Sequence, residues 1–348
     1  MWSAMIVNAY AVLDGFVSLL RLVSGLLVVA LAAYGWRQWR AELAHAERQS
    51  LEDRFYLLFL LSFLLLGLNI VSWPLLYSLL QSYVPQWPGV MCIYGVTRIG
   101  TGSLGPSRFL PGLLDALQMS KPLLVFVSGA CFVLYGINRH TTTSPLLGRI
   151  LLGLLVLGIV DVVDAGTEIT YLVIPKKEEF LSAGCCSVSA EGGTARLLPA
   201  ALIEPENRSL LYAGYYGVNF AMVLLLLAGV RSAQPLAWRL LLPLLPAALL
   251  ALAVNSVFLV EIVAPRLLNL PDHHCPYDLI AKAPESMAAV ALFLGGIFCV
   301  GWVFVARCLG WSDETAPWLP HLGRALYGFG IFGFLFSLVL ISTELALS

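Results

Sequence analysis

Residues 149–174 read RILLGLLVLGIVDVVDAGTEITYLVI. The stretch is proline-free and longer than the roughly 20 apolar residues that carry a helix across a bilayer. It nevertheless holds three carboxylic acids, Asp161, Asp164 and Glu168. At about 100° per residue the three fall within a roughly 60° arc of one helix face. An ionisable side chain in hydrocarbon costs several kcal/mol, so such an arc must face protein, water or an ion rather than lipid. The stretch therefore predicts a membrane helix with a working inner face.

Seven further apolar runs surround it. Spans are expected near 17–36, 55–82, 121–137, 149–174, 210–230, 239–264, 286–306 and 322–346. Hydrophobic residues make up 59% of the 348-residue chain and charged ones 12%, against about 25% charged in soluble domains. The runs are too long and too free of alternation for barrel strands, and only helices or closed barrels satisfy every backbone group in lipid. The expected fold class is all-α: a polytopic integral membrane bundle of eight helices forming one transmembrane domain over 1–348, with irregular extracytoplasmic loops.

The first run resembles a signal sequence at Ala30-Leu31-Ala32, but Arg37 and Arg40 follow it instead of preceding it. A retained helix is expected. The short connections 37–54, 138–148, 231–238 and 307–321 are denser in arginine than the long ones, 83–120, 175–209 and 265–285. By the positive-inside rule the short side is cytoplasmic and both termini lie outside. Arginine far outnumbers lysine among 20 basic residues, a habit of GC-rich bacterial genomes that suggests a bacterial inner membrane.

The long connections share cysteine: Cys92 in the first, Cys185 and Cys186 in the second, Cys275 behind His273 and His274 in the third. Three readings are open. The sulfurs form disulfide staples, as an oxidising compartment permits. They act as a thiol–disulfide oxidoreductase passing electrons to a quinone, although the CxxC spacing is absent and Cys275-Pro276-Tyr277 runs on to Asp278. Or His273, His274 and Cys275 hold zinc or copper.

Polar residues on other spans are expected to join the stripe: Lys121 at the start of the third, Tyr212, Tyr216 and Asn219 at helical spacing on the fifth, and Glu261 on the sixth. The leading expectation is handling of a cation or proton through these carboxylates beneath a Cys/His-bearing cap, in a transporter-like or redox-linked component. The alternatives are the oxidoreductase and a disulfide-stapled non-catalytic subunit or assembly factor. Membrane lipids and other membrane or periplasmic subunits are the expected partners. A net charge of -1 implies no nucleic-acid face. There is no phosphate loop or dinucleotide fingerprint, and none of the five histidines lies in a span to ligate a haem between helices.

Overall fold

The computed structural model describes residues 8–41, 45–87, 90, 92–101, 105–176, 208–270 and 274–348, with backbone only for 45–54. Among the described residues there is no strand, and eight helices are long and apolar enough to cross a membrane. The chain is an all-α polytopic protein. Its surface is reversed from that of a soluble domain: Phe63, Val163 and Leu224 are more than 60% exposed, while Asp161, Glu168 and Arg21 are 0% exposed. Apolar side chains face out and charges face in, as hydrocarbon surroundings require.

The contacts gather into two compact units, Met1–Ala183 and Gly184–Ser348. The first holds α1 (Ala9–Arg40), α2 (His45–Tyr83), the short α3 (Ile93–Thr97), α4 (Leu110–Asn138) and α5 (Leu147–Val173). Its four long helices close a ring in which α1 packs on α5 and α2, and α4 packs on α5 and α2. The second holds α6 (Arg208–Arg231), α7 (Trp238–Phe258), α8 (Ala264–Leu267), α9 (Pro276–Lys282), α10 (Pro284–Leu309) and α11 (Leu319–Leu347). Here α6, α7, α10 and α11 close a ring with the same cyclic order. Its tightest seam is α10 on α11, where a Cβ at Gly333 would lie 2.6 Å from the Leu292 carbonyl oxygen.

Local chemistry explains the helix ends. The Asn8 side chain caps α1 by accepting from the Ala11 N–H at 2.8 Å, and donates to Ser82 Oγ at the far end of α2. Pro276 and Pro284 occupy the first positions of α9 and α10, where no intrahelical N–H is needed. The turn from α4 to α5 is closed by Asn138 Oδ1, which accepts from the Leu146 N–H at 2.9 Å. Internal prolines at 74, 122, 243 and 246 are tolerated within helices, as is common in membrane bundles. Between α7 and α8 the chain adopts a π-helical turn over Leu259–Val263. Guanidinium groups stack on indoles near helix ends, Arg40 on Trp36 and Arg307 on Trp238 and Trp311, the pairing suited to a bilayer–water boundary.

Two helices begin well before the expected spans. Helix α4 starts at Leu110, so Lys121 lies three turns inside it, and α1 starts at Ala9, with Asp14 and Arg21 inside. A charge that would end an isolated membrane helix is tolerated inside one when its counter-charge sits on a neighbour.

Candidate functional site: a buried charge cluster in the first unit

Close packing of α1 on α5 builds the site. A Cβ at Gly158 would lie 3.2 Å from the Gly25 carbonyl oxygen, and a Cβ at Gly25 only 2.9 Å from Asp161 Oδ2. Absence of side chains at this crossing lets the helices touch. Arg21, one turn before Gly25, is thereby set against the acid-bearing face of α5. Asp14, Ser18 and Arg21 follow one another at i, i+4 and i+7 on the buried face of α1.

Arg21 donates with all five of its N–H groups. Nε and Nη2 reach Asp161 Oδ1 at 3.2 and 2.8 Å, Nη2 reaches Asp164 Oδ2 at 2.5 Å, and Nη1 reaches Glu168 Oε2 at 2.8 Å and Ser72 Oγ at 3.0 Å. Lys121 Nζ uses its three protons on Ser72 Oγ at 2.5 Å, Glu168 Oε2 at 2.7 Å and Asp164 Oδ2 at 3.0 Å. Ser120 Oγ donates to Asp164 Oδ1, and Asn69 neighbours Asp161. All four long helices of the unit thus contribute. Asp14 completes the set, 0% exposed, with Glu168 as the neighbouring charge that acts on it most.

The donor inventory does not match the acceptors. A guanidinium offers five donors and an ammonium three, and all eight are spent. Among the described residues no hydrogen-bond donor reaches either oxygen of Asp14, Asp161 Oδ2 or Glu168 Oε1; Asp161 keeps its other oxygen on Arg21, whereas Asp14 has no donor at all. Four carboxyls face two bases, so with every group ionised the cluster would hold two surplus negative charges. A buried ion without a partner costs several kcal/mol even after relaxation. Protons or a bound cation must therefore neutralise the surplus.

The other sequence-derived residues are described within their own elements. Tyr212, Tyr216, Asn219 and Glu261 belong to the second unit. There Tyr212 packs edge-on against Phe258, the Tyr216 hydroxyl meets Ser342 Oγ at 3.0 Å, and Asn219 Nδ2 donates to Tyr215 O at 2.7 Å and Asn255 Oδ1 at 3.2 Å. Glu261, on the π-helical turn, lies 3.2 Å from His274 Nδ1. Cys92 and Cys275 are buried at the N-caps of α3 and α9. Cys185, Cys186 and His273 lie outside the described residues. Among the described residues no three His, Cys, Asp or Glu side chains converge as ligands for a metal ion.

Sequence reasoning did not name Asp14 or Arg21 as site residues, although Arg21 falls within the span expected over 17–36 and Asp14 just before it. Their seven-residue separation, two helical turns within an otherwise apolar stretch, was the available signal. In comparisons with known proteins, no family model, no curated protein and no solved structure matches this chain.

Proposed function

We propose that this membrane protein handles a proton or small cation through the charge cluster of its first unit, in the manner of a transporter or an ion-coupled membrane component. The observation that carries the reading is the surplus of acid: Asp14, Asp161, Asp164 and Glu168 against Arg21 and Lys121, all at most 2% exposed. A purely structural network between membrane helices needs no such surplus, since polar pairs there contribute only about 1 kcal/mol each. Asp161, Asp164 and Glu168 occupy the half of α5 toward its C-terminal end, and Asp14 the first turns of α1. In the proposed orientation this half faces the extracytoplasmic side of a bacterial inner membrane.

The oxidoreductase reading draws less support. Thiol–disulfide exchange needs an accessible thiolate, and the two described sulfurs of the outer set, Cys92 and Cys275, are 1% and 2% exposed. Purified protein in sealed vesicles, with an internal pH dye and imposed proton, sodium or potassium gradients, tests the proposal. Wild type should dissipate one of these gradients faster than empty vesicles. Asp161→Asn and Asp164→Asn should abolish that flux while melting as folded proteins. Flux unchanged in both variants, or absent from wild type under every gradient, refutes the reading.

A further inference from the structure

We infer that the species taken up is a proton, that Asp14 and Glu168 share it, and that it enters only from the end of the first unit where α1 begins and α5 ends. The inference rests on the proton-or-cation reading above and narrows it.

The pairing follows from the donor inventory. An ionised carboxylate only accepts hydrogen bonds. Asp14 brings two donor-less oxygens to Glu168, whose Oε1 is likewise without a donor, while Glu168 Oε2 is held by Arg21 and Lys121. Only a hydrogen between the two carboxyls turns this contact from repulsion to attraction, as in carboxyl pairs that ionise one at a time. Among the described residues, the charged or titratable groups set against Asp14 are Glu168 and Tyr171 from α5, Lys121 from α4, Tyr83 from α2 and Arg21 from its own helix. Uptake is an O–H exchange, in which hydronium and the Asp14 carboxylate become water and the Asp14 carboxyl. No other bond changes.

The surroundings favour a proton over a metal ion. Calcium takes six to eight oxygen ligands and magnesium a near-ideal octahedron, whereas among the described residues no three His, Cys, Asp or Glu side chains are arranged to hold a metal ion, the acids of the cluster being turned onto Arg21 and Lys121 instead.

One-sided entry follows from where the polar groups stop. Beyond Asp14 lie Tyr83 and Tyr171, and over their rings sits Lys176 Nζ, 5.5 and 4.5 Å from the two centroids. Ionisable and hydroxyl groups therefore succeed one another from Lys176 inward to Glu168. In the other direction, the buried residues of α5 before Asp161 are Gly148, Ile150, Leu151, Leu154, Leu157 and Gly158, and those of α1 after Arg21 include no acid or base. On that side the buried polar side chains of the unit are Ser24, Ser62, Ser128 and Asn138, with no acid or base among them, so no titratable group carries the proton further.

The test uses the full chain in lipid bilayers. Proton uptake per chain and the infrared carboxyl band are followed as pH is stepped from 8 to 5, at constant ionic strength in choline chloride. Asp14→Asn and Glu168→Gln should each lose about one proton of uptake and most of the band. Asp115→Asn, an exposed acid on α4, should lose neither. Replacing choline by sodium at fixed pH should change nothing. In vesicles of uniform orientation, only a pH step on the α5 C-terminal side should drive the band promptly. Protons released by sodium would overturn the proton assignment and leave the broader reading intact. Full uptake in Asp14→Asn with loss in Asp161→Asn would overturn the Asp14–Glu168 pair alone. Equal response to steps on either side would overturn one-sided entry, and uptake unaffected by any cluster variant would overturn both the inference and the reading beneath it.

Discussion

Replacing Arg21 by glutamine should be among the most damaging single changes in the first unit. The guanidinium makes five hydrogen bonds, four of them to Asp161, Asp164 and Glu168. Lys121 contacts Asp164 and Glu168 but makes no ion pair with Asp161, so Arg21→Gln leaves Asp161 buried without a base. Removing one partner of a buried ion pair costs about 3–5 kcal/mol. For a unit of this size each kcal/mol moves the melting temperature by about 2–4 °C, which gives a fall of roughly 6–20 °C. Adding Asp161→Asn removes the orphaned charge, so the double variant should recover about 1–3 kcal/mol of that loss. The assay is thermal unfolding of the four proteins of this cycle in one detergent at one pH, with Arg37→Gln on the exposed face of α1 as control. The reasoning fails if Arg21→Gln melts no lower than Arg37→Gln, or if the two substitutions simply add.

Two further outcomes follow from particular contacts. A methyl group at Gly333 would meet the Leu292 carbonyl oxygen at 2.6 Å and the Gly296 amide nitrogen at 3.1 Å, whereas one at Gly328 meets nothing within 4 Å. Gly333→Ala should therefore destabilise the second unit by about 1–3 kcal/mol through overpacking. Gly328→Ala should be neutral or stabilise by up to about 1 kcal/mol through helix propensity; thermal shifts in the reverse order would contradict the α10–α11 packing. Outside the spans, burial pulls the Lys176 amine from its usual 10.5 down to about 8. Between those values the unfolded chain binds more protons than the folded one, so stability should rise with pH through the window, by on the order of 3 kcal/mol, and fall again as pH drops toward 8. Denaturation curves measured from pH 7.5 to 10.5 should show this rise in wild type and a flatter profile in Lys176→Met.

The helices were legible because lipid imposes a simple rule: apolar length marks a span. The common face of Asp161, Asp164 and Glu168 was legible for a related reason, since helical spacing alone aligns them. Their partners were not. Asp14 and Arg21 went unassigned because a lone charge in or beside an apolar run says nothing of its role until its counter-charge is known. Lys121 similarly seemed to open a span that in fact begins at Leu110. The decisive contact, α1 against α5, joins residues 140 positions apart in the Arg21–Asp161 pair. It depends on Gly25 and Gly158 meeting at one crossing, and single glycines carry no signal of their partner. Tyr212, Tyr216, Asn219 and Glu261 were grouped with the stripe by depth alone, and depth does not say which helices are neighbours; within the second unit Tyr212, Tyr216 and Asn219 have partners on Phe258, Ser342 and Asn255.

Magnetic-resonance measurement of the couplings between the Arg21 guanidinium nitrogens and labelled Asp and Glu side-chain carboxyl carbons, on the protein in bilayers, reaches the centre of this account. With Nη2 2.8 Å from Asp161 Oδ1 and Nη1 2.8 Å from Glu168 Oε2, strong dephasing is expected. It should weaken when Asp161→Asn removes one partner and vanish when Glu168→Gln and Asp164→Asn are added. An Arg21 signal with no carboxyl coupling, exchanging freely with water or lying against lipid, would contradict the existence of the cluster.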